Sequence, residues 1–417
     1  MPESPFAFHV GVDWGTESHQ VCVLDAGGQP VSEFCVAHSA AAIREFCARL
    51  AQLAPTGGLV VAIESPTSPV TEPLLEAGFA VFSINPKQLD RFRDRYFPAG
   101  SKDDRRDSFI LATSVRTDPG CFRRLDIEDP KMRDLRALSR LDQTLKTELG
   151  GFCARLRDLL LPSFPALLAL CPGADEAWLW ELLSKAPTAP RAARLSCSAV
   201  AALLKRHRIR RIEPEQLVAL LRQPPLPLPQ ASFQRSGGQI MLLLPVIAAL
   251  AAQRRAADAQ IQTLLEELSA AEPDTPNECQ HRDLNIIRSL PGVGTMVAAT
   301  MLAEAHQALA RRDYHALRAH AGVAPITRQS GKSCAAFMRH ACNPALRQAV
   351  YHWSRIGVMH DPRCKAHYKH LRERGHSHGR ALRGVADRLL KMLCSMLKSQ
   401  TPYDPQRRQL ASAAAAA

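Results

Sequence analysis

The hydrophobic pattern of this chain changes near residue 128, and the change limits the folds that it can adopt. Before that point, short apolar runs of strand length alternate with segments of helix length. After it, apolar residues recur at helical spacing over long stretches. The expected fold class is therefore α/β plus α, with an N-terminal sheet domain followed by mostly helical regions.

The N-terminal segment predicts a mixed sheet. Strands are expected at 8–12, 20–25, 31–37, 59–64 and 79–84, and helices at 39–53, near 70–77 and from Pro86 onward. Short turns join the first three strands and indicate a meander, whereas helices join the later strands and indicate β-α-β units. A mixed sheet flanked by helices is compatible with a ribonuclease-H-like fold.

Composition and pattern divide the chain into predicted parts at 1–128, 129–280, 281–411 and 412–417. The second part is helical around a proline-rich connector at 223–230, and it is consistent with either a coiled-coil dimerisation arm or an ordinary bundle. The third part is basic and mostly helical, with a loop predicted at 324–333. The alanine-rich end at 412–417 is predicted to be disordered.

Positive charge is concentrated in the last third of the chain. The whole sequence has 53 Lys and Arg against 40 Asp and Glu, a net charge of +13. From His281 onward there are 22 Lys and Arg against 7 Asp and Glu, a net +15, so residues 1–280 carry −2. This balance favours a polyanionic partner, either nucleic acid or an anionic membrane surface. The most apolar run, at 240–252, is too short to span a bilayer and contains Pro245, which argues against a membrane protein.

Cysteine usage and the N-terminus indicate the compartment. The 12 cysteines include no C-x-x-C pair, and the first residues contain no basic region followed by an apolar one. This pattern is typical of reduced thiols in a cytoplasmic protein.

Four carboxylates of the N-terminal part occupy positions from which they can converge. Asp13 follows the first predicted strand, Glu64 ends the fourth, and Asp104 and Asp107 lie three apart at a predicted helix start. Such positions can meet at one sheet edge, and their hard oxygen ligands suit Mg²⁺, with Mn²⁺ as a substitute. Two such ions can clamp the attacking and leaving oxygens of a phosphodiester. Taken singly, each acid is also explained as a turn or capping residue, and Asp103 stays an alternative to Asp104.

The segment VGVDWGTES also resembles the D-x-G-T phosphate loop of actin-like sugar kinases. Such a kinase requires a second glycine-rich phosphate loop downstream. The other acidic-glycine match, DAGG at 25–28, falls in a predicted hairpin turn. The sequence therefore argues against a kinase.

The third part begins with a helix-hairpin-helix pattern. In LPGVGTMVAATMLAE, a turn with Gly292 and Gly294 separates two apolar helical segments. Backbone N–H groups at a helix start can bind phosphate without reading sequence, so we expect Gly292 and Gly294 to contact nucleic acid. A purely structural helical hairpin is the alternative.

Ser330 lies in the basic segment SGKS, which is not a Walker loop because the upstream glycine is missing at the required spacing. A serine here could act as a nucleophile while Arg328, Lys332 and Arg339 neutralise a scissile phosphate. Most loop serines, however, only bond to the backbone.

A zinc site is considered for the residues Cys364, His367, His370, His376 and His378. Their spacing matches no regular structural zinc site. We expect phosphate contacts or solvation on a basic helix, and no zinc.

Taken in order, these motifs resemble the insertion-sequence one-ten (IS-one-ten) transposase family, the DEDD-type recombinases that include Piv-like DNA invertases. The family's acids match Asp13 in VGVDWGTES, Glu64 in VAIESP, and Asp104 and Asp107 in KDDRRDSFILA. The family's serine matches Ser330, between AGVAP and NPALRQA, and both SINPKQ and LPGVG have the family's form. The chain departs from the family at Ser65-Pro66, where a small pair often follows the glutamate, and in its longer helical middle.

The resemblance implies an RuvC-like catalytic domain at 1–128, with Mg²⁺ held by the four acids, and a transposase domain at 281–411 with the nucleophilic serine. It implies a DNA recombinase that cuts and rejoins donor and target DNA through a transient phosphoserine link. A noncoding bridge RNA as guide, a homodimer or homotetramer, and a bacterial, nucleoid-associated cytoplasmic location are expected with it. Two alternatives stay open: an RuvC-like junction nuclease without a covalent intermediate, and a non-catalytic nucleic-acid-binding protein.

Overall fold

The computed structural model describes residues 5–96, 103–126, 129–224, 227–270, 278–331 and 333–404. Within these ranges, the structure describes the backbone but not the side chains at 56 and at 278–282. The chain forms two compact units, Met1–Asp129 and Pro130–Ala417. Lys332 and the predicted tail at 412–417 lie outside the described residues.

The N-terminal unit contains one six-stranded sheet with the strand order β3-β2-β1-β4-β5-β6. Its strands are β1 (Phe8–Trp14), β2 (Ser18–Asp25), β3 (Pro30–Ala37), β4 (Leu59–Ile63), β5 (Ala80–Ser83) and β6 (Arg123–Leu125). Its α-helices are α1 (Ala40–Leu53), α2 (Thr71–Glu76), α3 (Pro86–Tyr96) and α4 (Asp104–Thr117). Strands β1 to β3 form an antiparallel meander, while β4 and β5 run parallel to β1. The predicted mixed α/β domain is therefore present, and the sequence missed only the short β6, whose Arg-Arg-Leu sequence has no apolar run.

The two faces of this sheet have different partners. Because side chains alternate along a strand, Val10 and Val12 of β1 lie on one face, where they share a core with Phe46 of α1. On the other face, Val60 and Ala62 of β4 share a core with residues of α4. The sheet is thus covered by helices on both sides, and α4 crosses the face that carries the odd-numbered residues of β1.

The second unit is built around two long helices. Its α-helices are α5 (Pro130–Ser163), α6 (Pro165–Leu170), α7 (Ala177–Lys185), α8 (Ala189–Ala192), α9 (Cys197–Arg206), α10 (Pro214–Leu221), α11 (Gln230–Ala270), α12 (Glu278–Ser289), α13 (Thr295–Ala310), α14 (Tyr314–His320), α15 (Pro344–His360), α16 (Pro362–Glu373) and α17 (His378–Ser399). Helices α5 and α11 run antiparallel, with ion pairs between Lys131 and Glu267 and between Asp142 and Arg254. The C-terminal end of α5 and the N-terminal end of α11 share one core with α6–α10. The N-terminal end of α5 and the C-terminal end of α11 share a second core with α12–α17.

Helix α11 continues through Pro245. Among the described helices it is the one whose length and composition would allow it to cross a membrane, and 33% of its apolar window is buried within the protein. Core helices of other proteins pass the same test, so this property is weak evidence for a membrane span.

The prediction of a loop at 324–333 is wrong. The structure has a two-stranded antiparallel hairpin there, formed by β7 (Ile326–Ser330) and β8 (Ser333–Phe337). Neither face of this hairpin is buried. Its sequence therefore lacks the alternation of apolar and polar residues that predicts a half-buried strand. Cross-strand pairing and the turn at Gly331, which has φ +54°, define it instead.

Candidate active site

Asp13 and Glu64 lie at the ends of neighbouring parallel strands. Asp13 is the sixth residue of β1, and Glu64 directly follows β4. The register pairs Val12 with Ile63, so the next position along each strand is an acid. Parallel strands lie about 4.8 Å apart, which makes the two half-buried acids neighbours at the carboxyl end of the sheet.

Helix α4 brings its first turn to the same edge. The helix packs so closely on β1 that a Cβ atom at Gly11 would lie 1.9 Å from the carbonyl oxygen of Ser108. Its last turn lies at the opposite end of β1, where Arg116 approaches Gly28. The helix therefore runs antiparallel to β1, and its first turn, with Asp104 and Asp107, is directed toward the carboxyl end of that strand.

The three acids at the start of α4 have different environments. Asp103 is the N-cap residue, and its Oδ1 accepts a hydrogen bond of 2.9 Å from the backbone N–H of Arg106. Asp104 is exposed, and its carboxylate has no hydrogen-bond partner among the described residues. Asp107 is only 1% exposed. The N-cap hydrogen bond gives Asp103 a structural role, and the choice of Asp104 as the third acid stays a prediction.

Asp107 is held by an arginine of α3. The Nε and Nη2 atoms of Arg93 donate hydrogen bonds of 2.8 Å and 3.0 Å to the two carboxylate oxygens of Asp107. These bonds raise the pKa of the Arg93 guanidinium. Arg93 also pairs with Asp90 on its own helix. The sequence reasoning missed Arg93, because nothing in its local pattern distinguishes it from the other arginines of α3.

The donor set fits a hard divalent cation in part. Asp13, Glu64 and Asp104 supply carboxylate oxygens at one edge of the sheet, and Glu64 accepts no hydrogen bond from any described residue. Asp107 would have to exchange the Arg93 guanidinium for a metal ion. The four acids do not bring three ligand atoms within 4.8 Å of one another. Within the described part of the chain, the group that does so is Cys171, Asp175 and Glu176.

That second group is explained without a metal. The carboxylate of Glu176 accepts hydrogen bonds from Arg211 and from Trp178. Burial opposes ionisation of Glu176, but these donors outweigh it and lower its pKa. Cys171 is buried, which raises the pKa of its thiol and disfavours the thiolate that metals require.

Ser330 lies at the tip of the β7–β8 hairpin. It pairs with Ser333 across the strands, and Gly331 occupies the turn between them. Its hydroxyl is exposed and has no hydrogen-bond partner among the described residues. Ser330 and Arg328 are two residues apart on one strand and so point to the same face of the hairpin.

Arg328 and Arg339 differ in their surroundings. The Arg328 guanidinium lies 5.2 Å from the centre of the Phe337 ring on the exposed hairpin. Arg339 is half-buried at the base of the hairpin, where its Nε donates a 3.4 Å hydrogen bond to the carbonyl oxygen of Ala324. Arg328 is therefore presented to solvent, whereas Arg339 also anchors the hairpin.

The predicted helix-hairpin-helix segment is packed on α15. Helix α12 ends at Ser289 and α13 begins at Thr295. In the turn, Gly292 has φ +81°, and a Cβ atom there would lie 3.1 Å from Ile356. The indole N–H of Trp353 donates a 2.9 Å hydrogen bond to the carbonyl oxygen of Pro291. Gly294 is the exposed N-cap of α13, and a Cβ atom there would meet open space.

The five residues considered for zinc lie on or between α16 and α17. Cys364 is buried, and burial raises the pKa of its thiol to about 11. His378 Nδ1 lies 2.8 Å from the hydroxyl of Tyr368. These contacts account for Cys364 and His378 as parts of the helix packing.

Known proteins match both ends of the chain. Residues 10–165 match a family model of IS110 transposases with a DEDD motif, and residues 284–369 match a model described as the transposase IS116/IS110/IS902 family. The first range contains all four predicted acids, and the second contains Ser330.

Relatives matched over part or nearly all of the chain agree with these family models. The putative transposase y4uE of Sinorhizobium fredii is 44% identical over 49% of this chain and 58% of its own length. The mini-circle putative transposase for IS117 of Streptomyces coelicolor is 29% identical over 98% of both chains. An uncharacterised 43.6 kDa protein of insertion element IS110, from the same organism, is 28% identical over 95% of both. Since models of one family match both ends of the chain and relatives align along nearly all of it, the chain belongs to the IS116/IS110/IS902 family of transposases.

Proposed function

We propose that this transposase cuts and rejoins the DNA strands of a mobile insertion sequence, with Asp13, Glu64, Asp104 and Asp107 as ligands of Mg²⁺ and Ser330 as the nucleophile. The observation that carries the proposal is the arrangement at the sheet edge. The ends of β1 and β4 and the first turn of α4 bring carboxylates to one edge of the N-terminal unit.

The acids have a defined task in this proposal. Mg²⁺, or Mn²⁺ in its place, would neutralise the charge that develops on the phosphodiester oxygens during strand cleavage. Asp13 and Glu64 are fixed by strand register, and Asp104 projects from a helix whose position is fixed by Gly11. Asp107 joins them when its carboxylate leaves Arg93.

Ser330 supplies the covalent step. Its Oγ attacks the phosphorus, an Oγ–P bond forms, and the bond from phosphorus to the leaving strand oxygen breaks. The serine proton departs to solvent or to that oxygen. A hydroxyl of another strand end then attacks the same phosphorus, the Oγ–P bond breaks, and Ser330 is restored. The number of phosphodiester bonds is conserved, so the exchange requires no external energy source.

Basic groups would hold the substrate near this serine. Arg328, Lys332 and Arg339 are proposed to neutralise the scissile phosphate, and the turn with Gly292 and Gly294 to contact the backbone nearby. A noncoding bridge RNA is proposed to select donor and target DNA. We also propose that the protein acts as a homodimer or homotetramer at the nucleoid in the bacterial cytoplasm.

The test is a search for a covalent protein–DNA adduct. Protein, Mg²⁺, candidate guide RNA and element-end DNA are incubated, denatured and separated by electrophoresis. The adduct is expected with the wild type and with Ser333→Ala, which changes the cross-strand partner of Ser330, but not with Ser330→Ala. An adduct that persists in Ser330→Ala refutes the nucleophile.

The same experiment separates the two alternatives. DNA cleavage without any adduct supports a junction nuclease in which water attacks. If neither cleavage nor adduct is seen, and DNA binding survives Asp13→Asn, the protein is a binding module. Recovery of a discrete small RNA with the purified protein is the result expected for RNA guidance, and a preparation free of RNA counts against it.

A further inference from the structure

One face of the β7–β8 hairpin combines an aromatic ring, a cation and the proposed nucleophile. Residues directly opposite each other in an antiparallel pair share a face, and so do residues two apart on a strand. The register pairs Ser330 with Ser333, Arg328 with Ala335, and Ile326 with Phe337. Ser330, Arg328 and Phe337 therefore lie on one face.

Phe337 is available to a partner on this face. Its side chain is 48% exposed, and it lies in a strand whose five residues are all exposed. A large exposed aromatic on a two-stranded ribbon adds nothing to a core, and such exposure is typical of binding surfaces. The Arg328 guanidinium lies 5.2 Å from the ring centre, and about half of the side chain stays exposed beside it.

The charge of the surrounding chain indicates the chemistry of that partner. Between Asp313 and Asp361 the sequence contains no acidic residue. The basic residues of the same stretch are Arg318, Arg328, Lys332, Arg339, Arg347 and Arg355. Arg318 is paired with Asp387, whereas Arg328 is exposed beside Phe337 on the hairpin. An exposed aromatic ring beside an exposed arginine is suited to a polyanion with flat apolar faces, which describes an unpaired nucleotide.

We propose that Phe337 stacks on an unpaired base of the DNA strand that Ser330 cuts, while Arg328, between them on the same face, holds the scissile phosphate. This proposal rests on the proposed function of Ser330. Four residues of strand separate the Ser330 level from the Phe337 level, about 13 Å. The stacked base is then about two to four nucleotides from the scissile phosphate, at the 3.4 Å rise of a stacked strand or the longer rise of an extended one.

Stacking on Phe337 would fix a strand that base pairing has released. A duplex exposes no base face along its length, so the hairpin face would discriminate between single-stranded and paired DNA. Every base has an aromatic face, so this contact would be tolerant of sequence. Phe337 is thus a positioning residue, which holds the strand while Ser330 reacts.

The test measures binding of labelled oligonucleotides by fluorescence anisotropy in EDTA. The probes are a fluorescein-labelled oligothymidylate, an oligouridylate of equal length and a blunt DNA duplex. Phe337→Ala is expected to weaken oligothymidylate binding about tenfold and to leave duplex binding unchanged. Phe337→Trp should retain the affinity, because it keeps a stacking surface.

Met338→Ala is the matched control, since Met338 is the adjacent exposed apolar residue and is 36% exposed. Equal losses in Phe337→Ala and Met338→Ala, an equal loss of duplex binding, or an unchanged oligothymidylate affinity would each overturn the proposal. A Phe337-dependent preference for oligouridylate would overturn the assignment to DNA. Because the assay contains no metal and requires no cleavage, its result is independent of whether the covalent adduct forms.

Discussion

Replacing Arg93 by Gln is the sharpest perturbation of the proposed metal site. The change removes both hydrogen bonds to Asp107 and leaves a carboxylate whose side chain is 2% exposed without its cation. We expect the N-terminal unit to lose stability in the absence of metal, and to regain part of it when a divalent cation binds Asp107.

The magnitude follows from the burial of the pair. Breaking a buried ion pair costs about 3–5 kcal/mol, because an uncompensated charge stays behind. The Arg93 side chain is 13% exposed, so water can partly replace it and the lower end, about 3 kcal/mol, is appropriate. For a unit of this size, that loss lowers the Tm by about 10 °C. A cation at 100 times its Kd restores about 2.7 kcal/mol.

Thermal unfolding with and without Mn²⁺ measures both effects. In the wild type, Mn²⁺ has to displace Arg93 from Asp107, so its stabilising shift should be smaller than in Arg93→Gln. The Kd for Mn²⁺, measured by electron paramagnetic resonance, should fall in the variant for the same reason.

Arg312→Gln is the matched control. Arg312 pairs with the buried Asp283, and the two side chains are 17% and 7% exposed, similar to Arg93 and Asp107. This variant should be destabilised without a larger Mn²⁺ shift. If Arg93→Gln responds to Mn²⁺ no more than the wild type or Arg312→Gln, then Arg93 does not compete with metal for Asp107.

Three further predictions concern single residues of the two units. Gly11→Ala should abolish cooperative unfolding of the N-terminal unit in circular dichroism, because its Cβ would overlap the carbonyl of Ser108; a two-state transition near the wild-type Tm would contradict the packing. Burial, and after it the charge of Arg116, lower the pKa of His9 from 6.5 to about 4. The free energy of unfolding is therefore unaffected by His9 above pH 6.5 and decreases as the pH falls from 6.5 through 4, by at most about 3 kcal/mol. Urea midpoints at pH 7 and 4.5 should therefore differ less in His9→Leu than in the wild type, and an equal difference would exclude His9 as the cause. Gly292→Val should lose about 1–3 kcal/mol in urea unfolding because of its positive φ and its contact with α15, whereas Gly294→Val, in open space, should lose less; the reverse order would be incompatible with this turn.

The sheet could be predicted because its central strands are short, continuous apolar runs that are buried. Strands β1, β2 and β4 place apolar residues in covered positions, so the sequence carries the signal of the strands and of where they end. Asp13 and Glu64 were recognised for that reason, since each stands where a buried run stops. The hairpin β7–β8 has no covered face, so pairing alone defines it and the sequence pattern resembles a loop.

Contacts between separate elements of the N-terminal unit gave no comparable signal in the sequence. The pairing of Arg93 with Asp107 joins α3 to α4, and the close approach of Gly11 to Ser108 joins β1 to α4. Both depend on how α4 lies across the sheet. A helix pattern predicts that α4 exists and which side is apolar, but not which backbone atom will face a glycine.

The start of α4 shows how a one-residue difference decides chemistry. Because the helix begins at Asp104, Asp103 is the N-cap and its side-chain oxygen is used by a backbone N–H. Asp107 then faces inward, one residue before Ser108, whose carbonyl oxygen approaches Gly11, and its burial requires the Arg93 cation. Asp104 faces solvent and is the one acid of the three whose oxygens are uncommitted to a described residue. The three-residue spacing to Asp107 favours Asp104 over Asp103 in the sequence. The capping geometry adds that Oδ1 of Asp103 is already used within the helix, and Asp104 as a metal ligand stays a prediction.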